Sequence, residues 1–211
     1  RKPVVYTHRI KDGKRHPVGN FKGSNSSPAW SPNGAQMALT LSRDGGSQIF
    51  LMDLAGAGLK RLSQSSGIDT EAAFSADGQH VYFVSDRGGS PQIYRMPVAG
   101  GAAERMTFTG NYNISPAPSP DGKYLAYISR ISGNDFRLHV LELATGKITP
   151  LTSTSFDERP TFSPNSKLVL YLSKIEGKTA LMTVALDGKL ATRLDAVVGD
   201  IREPAWGRFF N

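Results

Sequence analysis

The chain has 211 residues and a mass of 22.8 kDa; 39% of its residues are apolar, 20% are charged, and the formal net charge is +7. That length holds one large domain or two small ones, and the ordinary globular usage excludes a disordered chain and a coiled coil. There is no cysteine, which excludes disulfides, zinc-thiolate sites and thiol catalysis together, and no apolar run approaches the ~18 to 20 residues of a membrane helix. Apart from Arg1-Lys2 and the stretch Arg9, Lys11, Lys14, Arg15 and His16, basic residues are spread one or two per turn. A dispersed positive field raises association rates with acidic partners but predicts no nucleic-acid interface. The opening Arg-Lys-Pro-Val-Val lacks an initiator Met and the apolar core of a secretory signal, so the N-terminus is expected to be a cut.

From the N-terminus onward one pattern organises the chain. Residues 28–34 read Pro-Ala-Trp-Ser-Pro-Asn-Gly, and 72–78, 116–122 and 160–166 repeat that text with small changes, so that Ser31, Ser75, Ser119 and Ser163 fall at a 44-residue spacing. A fifth copy starts at Pro204-Ala-Trp206. After each Asp-Gly or Asn-Gly turn comes an apolar run, at 37–41, 81–84, 125–128 and 168–172, rich in β-branched and aromatic residues as strands require. A polar turn follows, then an alternating strand at 48–52, 92–96, 137–141 and 180–184, then a Gly-bearing turn and a short fourth strand. Residues 4–10 match the third-strand position of this unit. Four short antiparallel strands in a period of about 40 to 45 residues predict β-propeller blades. The expected division is residues 1–21 as outer strands of an incomplete blade, 22–64, 65–108, 109–153 and 154–196 as successive blades, and 197–211 as the first strand of a closing blade.

The motifs at 21–25 (Phe-Lys-Gly-Ser-Asn), 66–71 (Ser-Gly-Ile-Asp-Thr-Glu), 85–94 (Ser-Asp-Arg-Gly-Gly-Ser-Pro-Gln-Ile-Tyr), 113–116 (Asn-Ile-Ser-Pro) and 202–206 (Arg-Glu-Pro-Ala-Trp) together resemble the TolB family of the Tol-Pal system along the whole chain. The resemblance implies an all-β, six-bladed propeller, of which this chain is the later part, without the family's N-terminal α/β domain. It also implies a periplasmic, noncatalytic scaffold that binds the peptidoglycan-associated lipoprotein Pal over the channel mouth. TolA would be contacted through the N-terminal region, and outer-membrane integrity and cell division are the processes served.

Catalytic motifs are absent: there is no Gly-x-Ser-x-Gly elbow, no His-Glu-x-x-His and no phosphate loop. His8, His16, His80 and His139 fall at unrelated phases of the repeat, and the recurrent serines are expected to start turns. A fold needs sameness between copies and binding needs particular groups, so the segments that vary are the better candidates. Variation concentrates before each first strand, at 23–27, 68–71, 111–114, 156–159 and 199–203, in loops expected to ring one end of a channel, with the turn carrying Arg87 opening on the same face. The candidate partner-binding residues are Ser24, Asn25, Ser27, Asp69, Thr70, Glu71, Arg87, Asn113, Asp157, Glu158, Arg159, Asp200, Arg202 and Glu203. Six are carboxylates, and carboxylates bundled within ~10 Å destabilise one another unless compensated by amides, a basic segment or a cation. Calcium is the candidate cation, although no Asp-x-Asp-x-Asp-Gly loop is present. Three further expectations follow. Trp30, Phe74, Phe162 and Trp206 pack between blades, with the interface at Pro118 the loosest. The rival class is a gating propeller of a prolyl-oligopeptidase-like serine peptidase. A glycan-binding propeller would rely on Tyr112 and Phe156.

Overall fold

The structure, a computed structural model, describes residues 2–54, 58–194 and 201–207. The chain divides into two compact units, Arg1–Met106 and Thr107–Asn211. The first holds the hairpin β1 (Val5–His8) and β2 (Arg15–Gly19), then two four-stranded sheets. These are β3 (Asn25–Trp30), β4 (Gln36–Leu41), β5 (Gln48–Asp53) and β6 (Lys60–Arg61), followed by β7 (Asp69–Phe74), β8 (His80–Ser85), β9 (Gln92–Pro97) and β10 (Glu104–Arg105). The second unit repeats the plan with β11 (Tyr112–Pro118), β12 (Tyr124–Arg130), β13 (Arg137–Glu142) and β14 (Ile148–Pro150), then β15 (Glu158–Phe162), β16 (Leu168–Ile175), β17 (Lys178–Ala185) and β18 (Ala191–Leu194). Each sheet is an antiparallel meander in chain order. No helix occurs among the described residues.

The repeated serine starts the turn between first and second strands. Ser31 Oγ donates to Asn33 Oδ1 at 2.7 Å and accepts the Gln36 N–H at 2.9 Å, while Asn33 Oδ1 accepts the Ala35 N–H. Ser75 with Asp77, Ser119 with Asp121, and Ser163 with Asn165 repeat the device. The fourth turn position needs a left-handed backbone, which Gly34, Gly78 and Gly122 supply at φ near 70° and Ser166 supplies at 60°. These hydroxyls are spent on the backbone, which is why they recur.

Second and third strands read as continuous apolar runs because both of their faces are covered. In the first unit Leu39, Leu41 and Phe50 turn toward Val5, Val18 and Phe21 of the preceding segment. Ala38, Ile49 and Leu51 turn the other way, onto Phe74, Val81, Phe83 and Tyr94 of the next sheet. In the second unit Ala126, Ile128, Leu138 and Val140 pack on Phe162, Val169, Tyr171 and Val184. Phe74 and Phe162 therefore sit between sheets, buried to 8% and 5% exposure. Trp30 does not. It is 51% exposed, while the core formed with β1 and β2 lies against β4 and β5. Trp206 is also surface-lying, at 37%, and residues 201–207 form no strand, so the expected closing-blade strand has no ladder among the described residues.

Candidate functional site

The first strand of each sheet is broken at one place. Register shifts fall between Ser26 and Ala29, Thr70 and Ala73, Ile114 and Ala117, and Glu158 and Thr161. The first residue inside each break is left-handed: Ser27 at φ 47°, Glu71 at 53°, Ser115 at 55° and Arg159 at 54°. Glu203 repeats the conformation at 47°. The five positions keep the 44-residue spacing, and Pro28, Pro116, Pro160 and Pro204 follow four of them. A bulge of this kind bends the strand and re-aims its side chain, and bulges concentrate next to binding and catalytic sites. A left-handed non-glycine residue costs on the order of 1–3 kcal/mol and persists only where its surroundings enforce it.

The candidates expected in loops before the first strands lie largely inside those strands. Two residues before each left-handed position stands Asn25, Asp69, Asn113 or Asp157, and all four are buried, at 2%, 0%, 0% and 2% exposure. Their polar atoms serve the fold. Asn25 Oδ1 accepts the Phe21 N–H at 2.8 Å, and its amide donates to the carbonyls of Pro3, Phe21 and Gly23. Asn113 donates to the Thr109 carbonyl at 2.9 Å. Asp157 accepts from the Leu138 N–H and from the hydroxyls of Thr152 and Thr154. Asp69 takes Arg87 Nη2 on both oxygens, at 3.0 and 2.9 Å. Arg87 also donates through Nε to Ser85 Oγ and lies over the Phe83 and Tyr94 rings. Asn25, Asp69, Asn113 and Asp157 thus brace the strand starts from buried positions, and Arg87 braces Asp69 from a partly exposed one.

The remaining candidates reach the surface. Ser24 is exposed and donates its N–H to Ser42 Oγ; Ser27 and Glu71 are half-buried. Thr70 is half-buried with its hydroxyl 3.4 Å from that of Thr40. In the second unit Glu158, Arg159, Arg202 and Glu203 are exposed, and Arg159 pairs with Glu203 at 3.5 Å. Asp200 lies outside the described residues. Of the expected carboxylates, Asp69 is paired with Arg87, Asp157 accepts hydrogen bonds from hydroxyls and a backbone amide, and Glu203 is paired with Arg159. Among the described residues no group of three or more His, Asp or Glu converges as metal ligands, which leaves calcium without a ligand set there. Sequence reasoning missed Ser115, whose signal was its spacing of 44 from both Glu71 and Arg159.

Comparison with known proteins places these features in a family context. The TolB beta propeller domain family matches residues 1–210. Over 66 residues, 31% of this chain and 15% of the relative, the chain is 37% identical to the Tol-Pal system protein TolB of Gluconobacter oxydans (strain 621H). The crystal structure of TolB from Acinetobacter baumannii superposes with a TM-score of 0.89 at 40% identity, covering 97% of this chain and 51% of that one. The chain thus spans about half the length of that TolB. A puromycin-hydrolyzing peptidase of Mycobacterium tuberculosis shares the fold at 16% identity and a TM-score of 0.67, over 92% of this chain and 35% of its own.

Proposed function

Because the chain belongs to the TolB β-propeller family, we propose that it is a noncatalytic scaffold of the Tol-Pal system whose inner-strand bulges receive the lipoprotein Pal. The observation that carries this reading is the left-handed position itself. One strained backbone site recurs at a fixed spacing and bears Ser27, Glu71, Ser115, Arg159 and Glu203. The bend requires only its backbone, and glycine would adopt it without strain. Charged and hydroxyl-bearing side chains recur there where glycine would suffice for the bend. In a propeller the first strands surround the central channel, so these groups would meet a partner docked over its mouth. Exposed carboxylates at such a rim accept charge-assisted hydrogen bonds from amides and cations.

The reading includes a periplasmic location, TolA contact through a region outside this chain, and a role in outer-membrane integrity and cell division. Likeness to peptidase propellers at 16% identity concerns the fold alone and supports no gating role. The test is titration calorimetry of Pal with this chain. Glu71→Ala should weaken binding about tenfold or more, or ~1.4 kcal/mol, with thermal unfolding nearly unchanged. Glu104→Ala, on the outer strand β10 and ion-paired to Arg95 at 2.6 Å, should bind as the parent does. Failure of the parent to bind Pal, or parent-like binding by Glu71→Ala, overturns the assignment.

A further inference from the structure

The third complete sheet departs from its siblings on one face. Opposite Leu39, Phe83 and Tyr171 on their neighbouring strands stand Phe50, Tyr94 and Met182, but opposite Tyr127 stands His139. Two residues earlier on β13, where the other sheets carry Gln48, Gln92 and Ala180, stands Arg137. Residues two apart on a strand share a face, so both substitutions change the same surface. That surface borders a cavity of about 420 Å³ whose lining, all from the second unit, includes Tyr127, Ser129, Asp135, Arg137, His139 and Ile148. Its size is within the range of about 300–1,000 Å³ usual for small-ligand sites.

The polar groups there are incompletely used. Arg137 gives Nη2 to Asp135 Oδ2 at 2.7 Å, while its Nε is buried without an acceptor among the described residues. His139 is 3% exposed, stacks on Tyr127 with ring centres 5.8 Å apart, and places Nδ1 3.0 Å from the Arg137 carbonyl. A carbonyl only accepts, so Nδ1 carries the proton and the neutral ring presents Nε2 as an acceptor. The face thus offers the Arg137 Nε donor and the Nε2 acceptor of His139, which makes no hydrogen bond among the described residues, with hydroxyls of Tyr127 and Ser129 that do both. Charge is balanced. Arg137 and Asp135 cancel, burial holds His139 below the usual imidazole value, and burial pushes the Tyr127 hydroxyl up to about 12.

We propose that this cavity binds a neutral polyhydroxylated ligand, a sugar ring, with one hydroxyl donating to His139 Nε2 and another accepting from the Arg137 Nε–H. A hydroxyl both gives and takes a hydrogen bond, which matches a site of mixed donors and acceptors with no net charge. The side chains of Ile148 and Pro150, also in the lining, suit the C–H face of such a ring. An anion would meet the lone pair of Nε2 and the carboxylate of Asp135, and an apolar ligand would leave the buried donor unpaired.

The test is nuclear magnetic resonance titration of the His139 imidazole with glucose, galactose and N-acetylglucosamine, using benzoate as the anionic comparator and His80 as the reference ring. At least one sugar should shift the His139 Nε2 resonance saturably in the millimolar range while His80 stays fixed. Arg137→Met should weaken that binding about tenfold or more, and His139→Phe should abolish the sugar response of amides in β13. The latter variant should fold, because phenylalanine already stands at this position in the first sheet as Phe50. Absence of a saturable shift with any sugar, a response to benzoate alone, or sugar binding unchanged in both variants would overturn the proposal.

Discussion

Arg87 Nη2 holds both oxygens of the wholly buried Asp69, at 3.0 and 2.9 Å, and so ties the turn after β8 to the start of β7. The Arg87 side chain is 23% exposed and its guanidinium lies 4.9 Å from the Tyr94 ring centre. Removing the carboxylate strands a largely desolvated cation. Asp69→Ala should therefore cost about 3 kcal/mol, the low end for a broken buried pair because Arg87 keeps some solvent. Asp69→Ala/Arg87→Met should recover much of that loss. Urea unfolding of the two variants checks the ordering, and a single variant as stable as the parent would refute it.

Two aromatic residues at the same phase of the repeat should behave differently. Phe74 is sealed between sheets and Trp30 is 51% exposed. Phe74→Ala should cost about 3–5 kcal/mol, the range for deleting a buried large aromatic. Trp30→Ala should cost less than half as much, since much of its surface never leaves water. Equal shifts in the urea midpoint would contradict the difference in packing.

Ser166 occupies a left-handed turn position at φ 60°, and its Oγ accepts the Asp121 N–H at 3.0 Å. Alanine keeps the strained backbone and loses the acceptor, so Ser166→Ala should destabilise by about 1–2 kcal/mol. Glycine loses the same bond but relieves the strain, as Gly34, Gly78 and Gly122 do in the sister turns. Ser166→Gly should stay within about 0.5 kcal/mol of the parent. Thermal melts of both variants distinguish bond from backbone, and the reverse ranking would sink this account.

Stability should fall in mild acid through His139. Burial lowers its folded value below the ordinary 6.5. Above that value the ring is neutral folded or unfolded and contributes no pH dependence. As pH drops below 6.5 the unfolded chain takes up the proton first, so unfolding is favoured increasingly until the folded-state value is passed. The Asp77 carboxyl, held low by the Ser75 hydroxyl and the Gln79 N–H, acts in a separate window below 3.8. His139→Phe should flatten the urea midpoint between about pH 7.5 and 5.5. A slope unchanged by the substitution would assign it elsewhere.

Much of the architecture was legible because it is written in local, repeated chemistry. The Ser-x-Asp/Asn turns close within five residues, as Ser31 to Gln36 shows, and period and turn spacing together placed the second and third strands. What each polar residue at the head of a first strand does was not legible. Asp69 and Glu71 are two apart and both acidic, yet one is buried by Arg87, 18 positions away, and the other reaches the surface from a left-handed bulge. Trp30 and Phe74 share a motif, yet one ring lies half in solvent and the other is sealed between sheets. The cavity beside His139 likewise depends on β12, β13 and β14 coming together. Turn and strand preferences act over a few neighbours and survive in one dimension. Burial and ion pairing are set by groups distant along the chain, so tertiary structure alone assigned the roles of Asn25, Asp69, Asn113 and Asp157.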